Sequence, residues 1–279
     1  MLLKDFINQY EKKFKEKDIG NCSEDIYYII EECLNIKKND SIFLKELTIN
    51  LEQRRKLESL FAKRLDRIPV QRIFQKAYFR DLELKLNNFN FIPRFDSEII
   101  IDILEKKKLR PKKILELGTG SGAIIISVLK FLSHAKGLAS DISYESIYMA
   151  KKNAIINKVD DRLNFICCNW LKVFVNTDFD LIISNPPYIE TKVIKSLEPE
   201  VKLHDPLISL DGGEDGLTAY KIILSELKFI SNKPVIILFE IGYNQASRVS
   251  ELMKKKGLKN IEIFDDYNNN NRFILGKKE

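Results

Sequence analysis

The chain has 279 residues, of which 44% are hydrophobic and 31% are charged, and its formal net charge is +6. These values are ordinary for a soluble globular protein and leave enough apolar material for one large and one small domain. The early acidic residues argue against a signal or transit peptide, and no apolar run approaches a membrane span, so we expect a cytoplasmic protein. The positive charge would suit an acidic or nucleic-acid partner, but a solvated lysine-rich surface explains it equally well.

Cysteine and histidine give no sign of a metal site. The cysteines are Cys22, Cys33, Cys167 and Cys168, without Cys-x-x-Cys spacing, and the only histidines are His134 and His204. No metal ion is therefore expected. All four cysteines are predicted to be small buried hydrophobic residues.

The N-terminal part has the pattern of helices. Apolar residues recur there at helical spacing: Leu3, Phe6, Ile7 and Tyr10. Ser23 is the predicted N-cap of a second helix. A third helix follows Asn50, with Gln53 three residues later at the spacing of a capping box, and Pro69 ends that run.

Basic residues between positions 54 and 72 lie mostly off the apolar stripe of this third helix. A solvated helix face explains them, and a face that docks a partner is the sharper alternative. The next stretch, residues 78–91, alternates instead: Leu82, Leu84 and Leu86 are spaced two apart. Because Asn87 and Asn88 supply turn residues, we expect a β-hairpin that links two domains.

From residue 113 onward, short β-rich runs alternate with helical patterns. Seven strands are predicted, at residues 114–117, 138–142, 163–168, 181–184, 235–240, 261–264 and 273–275. Helical segments between the earlier strands, with Gly137 and Gly257 as C-terminal stops, predict a mostly parallel sheet covered on both faces. The connection between the last two strands is too short for a helical crossover, so we expect that pair to be antiparallel.

The predicted fold class is therefore α/β. A Rossmann-like domain of seven strands is expected at residues 93–279. A small N-terminal helical-bundle domain would precede it at residues 1–76, with the β-hairpin linker at residues 77–92.

A glycine-rich loop follows the first strand of the large domain and opens a helix. It consists of Gly118, Thr119, Gly120, Ser121 and Gly122. Glycines let the backbone approach a ligand closely, and a helix N-terminus presents free N–H groups. Asp141 ends the second strand, where an acid accepts hydrogen bonds from ribose hydroxyls. With Ala123, the loop also fits a dinucleotide fingerprint, which leaves NAD open at this point.

Two further residues near this loop suggest S-adenosylmethionine. Glu116 lies just before the glycines, and its negative charge would suit the cationic methionine portion of that cofactor, whereas a pyrophosphate has no such need. Trp170 follows the third strand and could stack against an adenine ring. Core packing at the end of a strand explains this tryptophan nearly as well.

The strongest motif is Asn185, Pro186, Pro187 and Tyr188, directly after the fourth strand. Two consecutive prolines stiffen the backbone, and the Asn185 side-chain oxygen and the Pro186 carbonyl can accept both hydrogens of a substrate –NH₂ group. Holding both N–H bonds aims the nitrogen lone pair at a methyl group, and Tyr188 offers a flat face to a planar amide or base. This motif decides against NAD and predicts N-methyl transfer from S-adenosylmethionine.

On these motifs the chain resembles the HemK/PrmC family of peptide chain release factor glutamine N5-methyltransferases over nearly its whole length. Residues 92–98 read Ile-Pro-Arg-Phe-Asp-Ser-Glu, similar to the family's I-P-R-P-D-T-E signature. Residues 211–217, followed by Tyr220, resemble its G-G-x-D-G-L segment. Residues 239–242 with Gln245, and Arg272 with Gly276, resemble two further segments.

The resemblance implies a class I methyltransferase fold that binds S-adenosylmethionine, with S-adenosylhomocysteine as product. The cofactor-binding residues are expected to be Glu116, Gly118, Thr119, Gly120, Ser121, Gly122, Asp141, Trp170 and Asn185. Asn185, Pro186, Pro187 and Tyr188 are expected to bind the substrate, and Asn185, Pro186 and Tyr188 to be catalytic. The implied substrate is the glutamine in the Gly-Gly-Gln loop of class-1 release factors, whose methylation supports translation termination.

The resemblance also implies that the N-terminal domain docks the release factor. A monomer is expected, with neither a membrane nor a nucleic acid as direct partner. Four residues depart from the family pattern: Phe95 stands for proline, Ser97 for threonine, Glu116 for the more frequent aspartate and Gln75 for a common glycine. None of them belongs to the proposed amide-holding residues.

Three alternatives remain. Ribosomal-protein glutamine methyltransferases share the Asn-Pro-Pro-Tyr chemistry but usually lack the acid that corresponds to Asp96. DNA adenine-N6 methyltransferases share the motif too, yet they need a target-recognition region and a means of flipping the base, and no surplus segment supplies one. A scaffold that binds the cofactor without catalysis is the third, and the intact Asn185 motif argues against it.

Overall fold

The computed structural model describes residues 1–36, 47–230 and 233–279. The chain divides into two units, Met1–Gln75 and Lys76–Glu279. The first unit holds the helices α1 (Leu3–Glu16), α2 (Cys22–Leu34), α3 (Leu51–Leu65) and α4 (Val70–Phe74). The helical character predicted for the N-terminal part is confirmed.

Aromatic side chains fill the core of the first unit. Phe6, Phe14 and Phe61 are fully buried, and the rings of Phe6 and Phe14 both pack on Phe61, with centroids 5.5 Å and 5.8 Å away. The predicted capping box is confirmed, because Asn50 accepts from the Gln53 amide and Gln53 accepts from the Asn50 amide.

The predicted cap of the second helix is wrong. This helix begins at Cys22, one residue before Ser23. Its N-cap position is Asn21, whose backbone is in a left-handed conformation. The Ser23 hydroxyl instead donates to Glu11 on α1, at 3.3 Å. Ser23 therefore lies inside the helix and does not cap it.

The second unit opens with the predicted hairpin, but its turn lies elsewhere. Strands β1 (Lys76–Phe79) and β2 (Leu82–Lys85) pair in register with Phe79 opposite Leu82. The two-residue turn is therefore Arg80–Asp81, with Arg80 at φ +51°, and the prediction of Asn87 and Asn88 as the hairpin turn is wrong. Asn87 forms a local turn after the hairpin, in which its side chain accepts from the Phe89 amide.

Seven strands form one sheet in the second unit. They are β3 (Lys113–Leu117), β4 (Lys136–Asp141), β5 (Leu163–Cys167), β6 (Leu181–Ser184), β7 (Val235–Glu240), β8 (Lys259–Asp265) and β9 (Asn271–Lys278). The spatial order is β5-β4-β3-β6-β7-β9-β8. The first five strands in this order are parallel, and β9 runs antiparallel to both β7 and β8. All seven predicted strands and the antiparallel final pair are confirmed.

Helices cover both faces of this sheet. They are α5 (Ile99–Lys106), α6 (Ala123–Phe131), α7 (Tyr144–Ile156), α9 (Thr218–Glu226) and α10 (Ala246–Lys255). The short helix α8 (Pro199–His204) has no buried residue and does not cover the sheet. Buried side chains of α5, α6 and α7 form one apolar cluster with the sheet, together with the hairpin, and side chains of α9 and α10 form a second. This Rossmann-like arrangement is the predicted fold class.

Two further local predictions are wrong. Gly137 does not stop a helix: it lies inside β4, where a Cβ would come within 2.9 Å of Leu163, so the close packing of the sheet against its helices requires glycine there. Of the four cysteines, only Cys33 is buried, and Cys167 is exposed because it lies at the end of the edge strand β5.

No helix in the described parts of the chain is long and apolar enough to cross a bilayer.

The feature that matters for chemistry is the edge where the parallel strands end. β4, β3, β6 and β7 are neighbours and point the same way, so Asp141, Leu117, Ser184 and Glu240 finish at one side of the sheet. Ligands bind at such edges in open α/β sheets.

Candidate active site

A cavity of about 720 Å³ lies along this carboxyl edge. Its volume is that of a small-molecule site. The walls come from the glycine loop, the ends of β4 and β5, the segment after β6 and the residues that follow α8. The motifs that sequence reasoning selected separately therefore meet around one space.

The glycine loop forms one wall. Gly118 and Gly120 have φ values of +71° and +55°, and a Cβ at either position would meet no heavy atom within 4 Å. The room beside these two residues therefore belongs to the cavity. Gly122 differs, because a Cβ there would lie 2.9 Å from Ile126 and 3.2 Å from Ala150. This glycine lets α6 and α7 pack closely at the start of α6.

Asp141 ends β4 beside this loop. Its carboxylate accepts from the Gly120 amide at 2.8 Å and from the Ser143 amide at 2.9 Å, one bond on each oxygen. Each oxygen has a second lone pair, which can accept from a ligand hydroxyl in the cavity. Burial raises the pKa of Asp141, while the two amide bonds favour the ionised form.

Asn153 holds the loop from behind, a role that the sequence did not reveal. This fully buried side chain donates to the Ser121 carbonyl at 2.8 Å and to the Lys85 carbonyl at 2.9 Å, and it accepts from the Lys85 amide. One residue of α7 thereby ties the glycine loop to the end of the hairpin.

Glu116 is the acid at the floor of the cavity. It lies on β3, is 2% exposed and accepts a hydrogen bond from the Thr119 hydroxyl. Burial raises the pKa of Glu116 to about 8, an effect that the Thr119 hydrogen bond partly opposes. A desolvated carboxyl of this kind favours a cation as neighbour, because a positive charge restores the stability of its ionised form.

Trp170 lines the cavity and also packs against the apolar cluster beneath α9 and α10. Its backbone is left-handed, with φ +53°. Both interpretations of this residue, a face for an adenine ring and core packing, are compatible with its position. The ring contact with a cofactor stays a prediction.

The segment after β6 is fixed by buried contacts. The Tyr188 carbonyl accepts from Gln245 Nε2 at 2.9 Å, and the same nitrogen donates to the Gly216 carbonyl. Gly216 has φ +70°, and a Cβ there would lie 2.5 Å from the Tyr188 oxygen. A side chain at Gly212 would likewise collide with the backbone of Tyr188. Gly212 and Gly216 are thus required by the close approach of two loops.

Asn185 lies beside the buried carboxyl of Glu240. Ser184 lies opposite Phe239 in the pairing of β6 with β7, which brings Asn185 beside Glu240 at the strand ends. Ser97, in the 3-10 turn Phe95–Glu98, donates to Glu240 Oε2 at 2.5 Å and lies 3.5 Å from Asn185 Nδ2. Ser97 thereby links the Asn185 side chain to the Glu240 carboxyl.

Glu240 is 1% exposed, and its burial raises its pKa to about 7. The hydrogen bond from Ser97 and the positive charge of Arg272 oppose this rise in pKa, whereas the negative charge of Asp96 adds to it. Burial also raises the pKa of Tyr188. The Tyr188 hydroxyl therefore stays protonated at neutral pH.

The rim of the cavity is mostly apolar. Leu207 and Ile208 line it and are about 60% exposed. Arg94 lines it too, and its guanidinium pairs at 2.8 Å with Asp205, whose side chain is fully buried. Asp205 also accepts from the Ile92 amide, so this pair fastens the segment before α5 to the segment after α8.

Most of the predicted site residues meet at this cavity. The lining includes Glu116, Gly118, Thr119, Gly120, Ser121, Asp141, Trp170, Asn185, Pro187 and Tyr188. Gly122 and Pro186, both of which the structure describes, do not line it, and Pro186 is buried. The roles assigned to all twelve residues stay predictions.

Four residues beside the site received no role from the sequence: Ser97, Asn153, Glu240 and Gln245. Glu240 carried a usable signal, because an acid that ends the apolar strand Val-Ile-Ile-Leu-Phe-Glu is expensive to bury without partners. Within the described ranges, no group of three or more His, Cys, Asp and Glu side chains is arranged to hold a metal ion.

Comparisons with known proteins agree with this geometry. Residues 5–74 match the family model described as the PrmC N-terminal domain, and residues 94–198 match the Methyltransferase small domain. The chain is 32% identical to the release factor glutamine methyltransferase of Agrobacterium fabrum, over 96% of this chain and 94% of that protein.

A relative with the same name from Caulobacter vibrioides is also 32% identical, over 95% of this chain and 93% of that protein. Among solved structures, the chain is similar to a methyltransferase from Pyrococcus furiosus with a TM-score of 0.51 and 17% identity, covering 78% of this chain and 98% of that one. That likeness concerns the fold alone.

Proposed function

The chain belongs to the release factor glutamine methyltransferase family, and we propose that it transfers a methyl group from S-adenosylmethionine to a glutamine side chain. The methyl group goes to the amide nitrogen, N5, of the glutamine in the Gly-Gly-Gln loop of a class-1 release factor. The observation that carries this proposal is the position of Asn185 and Tyr188 on the cavity that also contains Glu116, Asp141 and the glycine loop.

The residues around the cavity fit S-adenosylmethionine. This cofactor carries a sulfonium and an ammonium group, and the buried Glu116 carboxyl is a suitable neighbour for positive charge. Asp141 has free acceptor capacity for ribose hydroxyls, and Gly118 and Gly120 leave room for close approach. Trp170 offers an aromatic face to the adenine. When bound, the cofactor supplies an electrophilic methyl group.

The chain's own part in the reaction is to hold the substrate amide. Its nitrogen is a poor nucleophile because the lone pair is delocalised into the carbonyl. In this proposal the side-chain oxygen of Asn185, which lines the cavity, and the carbonyl of the adjacent, buried Pro186 each accept one of the two N–H hydrogens. Holding both hydrogens favours a pyramidal nitrogen with its lone pair directed at the methyl group. The nitrogen gains the methyl group and loses one proton, which passes to solvent water. Tyr188, protonated and held through its backbone by Gln245, supplies the flat face for the amide.

The lining of the cavity favours a peptide over DNA. Among the lining residues that the structure describes, Arg94 is the only basic one, and it already pairs with Asp205. A site for duplex DNA requires several cations against the phosphates. The exposed apolar side chains of Leu207 and Ile208 instead suit a glycine-rich peptide loop with little side-chain bulk.

We assign the docking of the release factor to the first unit. The match of residues 5–74 to the PrmC N-terminal domain and the predicted basic face of α3 support this role. In the same proposal, residues 93–279 form the methyltransferase domain and residues 77–92 the linker.

The test is a competition among substrates. The protein is incubated with methyl-labelled S-adenosylmethionine and, separately, with a class-1 release factor, its Gly-Gly-Ala loop variant, a ribosomal protein and duplex DNA. We expect label on the release factor alone. Label on DNA, on the ribosomal protein, or equally on the loop variant would overturn the substrate assignment, and no label at all would favour a scaffold without catalysis.

A further inference from the structure

Asn185 can serve the substrate only if its amide faces the right way. A side-chain amide has an oxygen that accepts and a nitrogen that donates, and the two ends are nearly equal in shape. If the amide turned over, Asn185 would present an N–H group to the substrate N–H and repel it. The proposed reaction therefore needs a second group that distinguishes the two ends of this amide.

Glu240 lies where such a group is needed. β6 and β7 are parallel neighbours, and their pairing places the end of β7 next to the residue after β6. The carboxyl of Glu240 accepts from the Ser97 hydroxyl, whose oxygen in turn accepts from Asn185 Nδ2. An ionised carboxylate has four acceptor sites and no hydrogen to donate. It therefore takes the Ser97 hydrogen and leaves the Ser97 oxygen to pair only with the nitrogen end of the Asn185 amide.

Ser97 completes the arrangement. Its hydroxyl donates to Glu240 at 2.5 Å, so its only hydrogen is used. The lone pairs of its oxygen then face Asn185 Nδ2, 3.5 Å away. The neighbour of the Asn185 nitrogen is thus an acceptor, and the oxygen end is left for the cavity, which Asn185 lines.

Glu240 is itself held in place. Its backbone carbonyl accepts from the fully buried Tyr220 hydroxyl at 2.7 Å. The charged and titratable groups that face its side chain are Arg272 on β9, Asp96 in the 3-10 turn and Tyr188 after β6. Arg272 is anchored in turn by Asp266 at 3.0 Å and Asp96 at 3.5 Å.

We propose that Glu240, acting with Ser97, is the positioning residue that fixes the Asn185 amide with its oxygen toward the substrate. This role rests on the proposed function, because it concerns the residue that receives the glutamine amide. Glu240 acts on Asn185 through Ser97 and does not contact the reacting atoms. In its ionised form it enforces the productive orientation, and in its protonated form it can donate a hydrogen bond and no longer distinguishes the two ends of the amide.

The kinetic test compares Glu240→Gln with Glu226→Gln. Glu226 is also a buried acid that accepts a backbone hydrogen bond, from Leu171, but it lies on α9 away from Asn185. At saturating cofactor, kcat of the wild type should rise as Glu240 ionises, around pH 7. Glu240→Gln should lower kcat on the order of 100-fold and abolish that rise. Glu226→Gln should keep the pH profile of the wild type.

Ser97 provides a second pair of variants. Ser97→Ala removes the hydroxyl and should lower kcat without changing the affinity for the cofactor. Ser97→Thr keeps the hydroxyl and should rescue kcat. Retention of the wild-type pH profile by Glu240→Gln, or equal kcat values for Ser97→Ala and Ser97→Thr, would overturn the positioning role.

A readout without turnover separates this inference from the proposed function. With ¹⁵N-labelled asparagine, the Asn185 side-chain NH₂ signals are identified by their loss in Asn185→Ala. They should shift with pH in step with the ionisation of Glu240 and lose that titration in Glu240→Gln. If the wild type transfers no methyl group but its Asn185 signals titrate with Glu240, the proposed function is refuted and the positioning role stands. If the enzyme is active but its Asn185 signals do not shift as Glu240 ionises, the positioning role is refuted.

Discussion

The Gln245 side chain donates through Nε2 to the Tyr188 carbonyl at 2.9 Å. The same nitrogen reaches the Gly216 carbonyl at 3.1 Å, and the Gln245 oxygen accepts from the Gly242 amide at 3.0 Å. One buried amide thus satisfies backbone groups of three separate loops. The position of Tyr188 in the site depends on a residue that is distant in sequence and does not line the cavity.

This relationship predicts that Gln245→Glu is damaging. The substitution keeps the shape but places an acceptor against the carbonyls of Tyr188 and Gly216, and each buried polar group that loses its partner costs about 1–3 kcal/mol. We expect a lower free energy of unfolding in urea and strongly reduced methyl transfer. Gln9→Glu, at an exposed position of α1, is the control and should leave the stability unchanged. Equal urea midpoints of unfolding for Gln245→Glu and Gln9→Glu would contradict the role of Gln245 in holding these loops.

Gly216→Ala should displace Tyr188. A Cβ at Gly216 would lie 2.5 Å from the Tyr188 oxygen and 2.6 Å from Gln245 Nε2, so one of these groups must move. Gly257→Ala is a matched control, because Gly257 has a similar φ of +81° but no heavy atom within 4 Å of the added Cβ. Both variants bear the left-handed strain of about 1–2 kcal/mol, which thermal unfolding measures. Only Gly216→Ala should lose methyl transfer, and loss in both would refute the contact as the cause.

Glu116 should make cofactor binding depend on pH. Its pKa is about 8 in the free protein, and a bound cation favours the ionised carboxylate, so binding releases a proton below that pH. The affinity of the wild type relative to Glu116→Gln should therefore increase with pH until about pH 8. Calorimetry in buffers of different ionisation enthalpy measures the released proton. The control Glu251→Gln, at an exposed position, should behave as the wild type. If the ratio of wild-type to Glu116→Gln cofactor affinity does not change with pH, Glu116 is not the neighbour of the cation.

The same carboxyl predicts a trend in stability. A glutamic acid ionises near pH 4.5 in the unfolded chain but near pH 8 at position 116 in the folded protein. Between these values the folded state holds the extra proton, so the free energy of unfolding should fall as the pH rises. Glu240 contributes in the same direction up to about pH 7. Urea unfolding of Glu116→Gln should show a shallower fall than the wild type, and an equal slope would contradict the burial effect.

Trp170 gives an optical test of the cofactor site. It is the only tryptophan of the chain and it lines the cavity, so tryptophan emission reports on this wall alone. We expect the emission to change when S-adenosylmethionine binds. Asp141→Ala should require a higher cofactor concentration for the same change, whereas exposed Asp160→Ala should not. If the emission stays constant when S-adenosylmethionine binds, Trp170 does not contact the cofactor.

The sequence predicted the sheet well because its signals are local. Each of the seven strands is a short apolar run, and the loop of residues 118–122 follows one of them directly. The hairpin turn was placed wrongly because Arg80 is not a favoured turn residue, whereas Asn87 and Asn88 are two favoured turn residues in succession. The pairing of Phe79 with Leu82 decided the turn. Ser23 was displaced from the cap position in a similar way, since Asn21 adopts the left-handed conformation just before α2.

The support of the site could not be predicted in the same way. Asn185 and Glu240 are far apart in sequence and meet only because β6 and β7 are neighbours in the sheet. Asn153 and Gln245 are ordinary polar residues until the fold places buried backbone carbonyls beside them. Motifs identify residues that contact ligands, whereas the residues that hold those motifs depend on strand order.

The central claim is that the methyl group reaches a glutamine amide held by Asn185. The most direct measurement is tandem mass spectrometry of a class-1 release factor after incubation with S-adenosylmethionine and either the wild type or Asn185→Ala. We predict one added methyl group on the side chain of the glutamine in the Gly-Gly-Gln loop with the wild type, and none with Asn185→Ala, whose cofactor affinity should stay nearly intact. A methyl group on any other residue, or undiminished glutamine methylation by Asn185→Ala, would contradict the account.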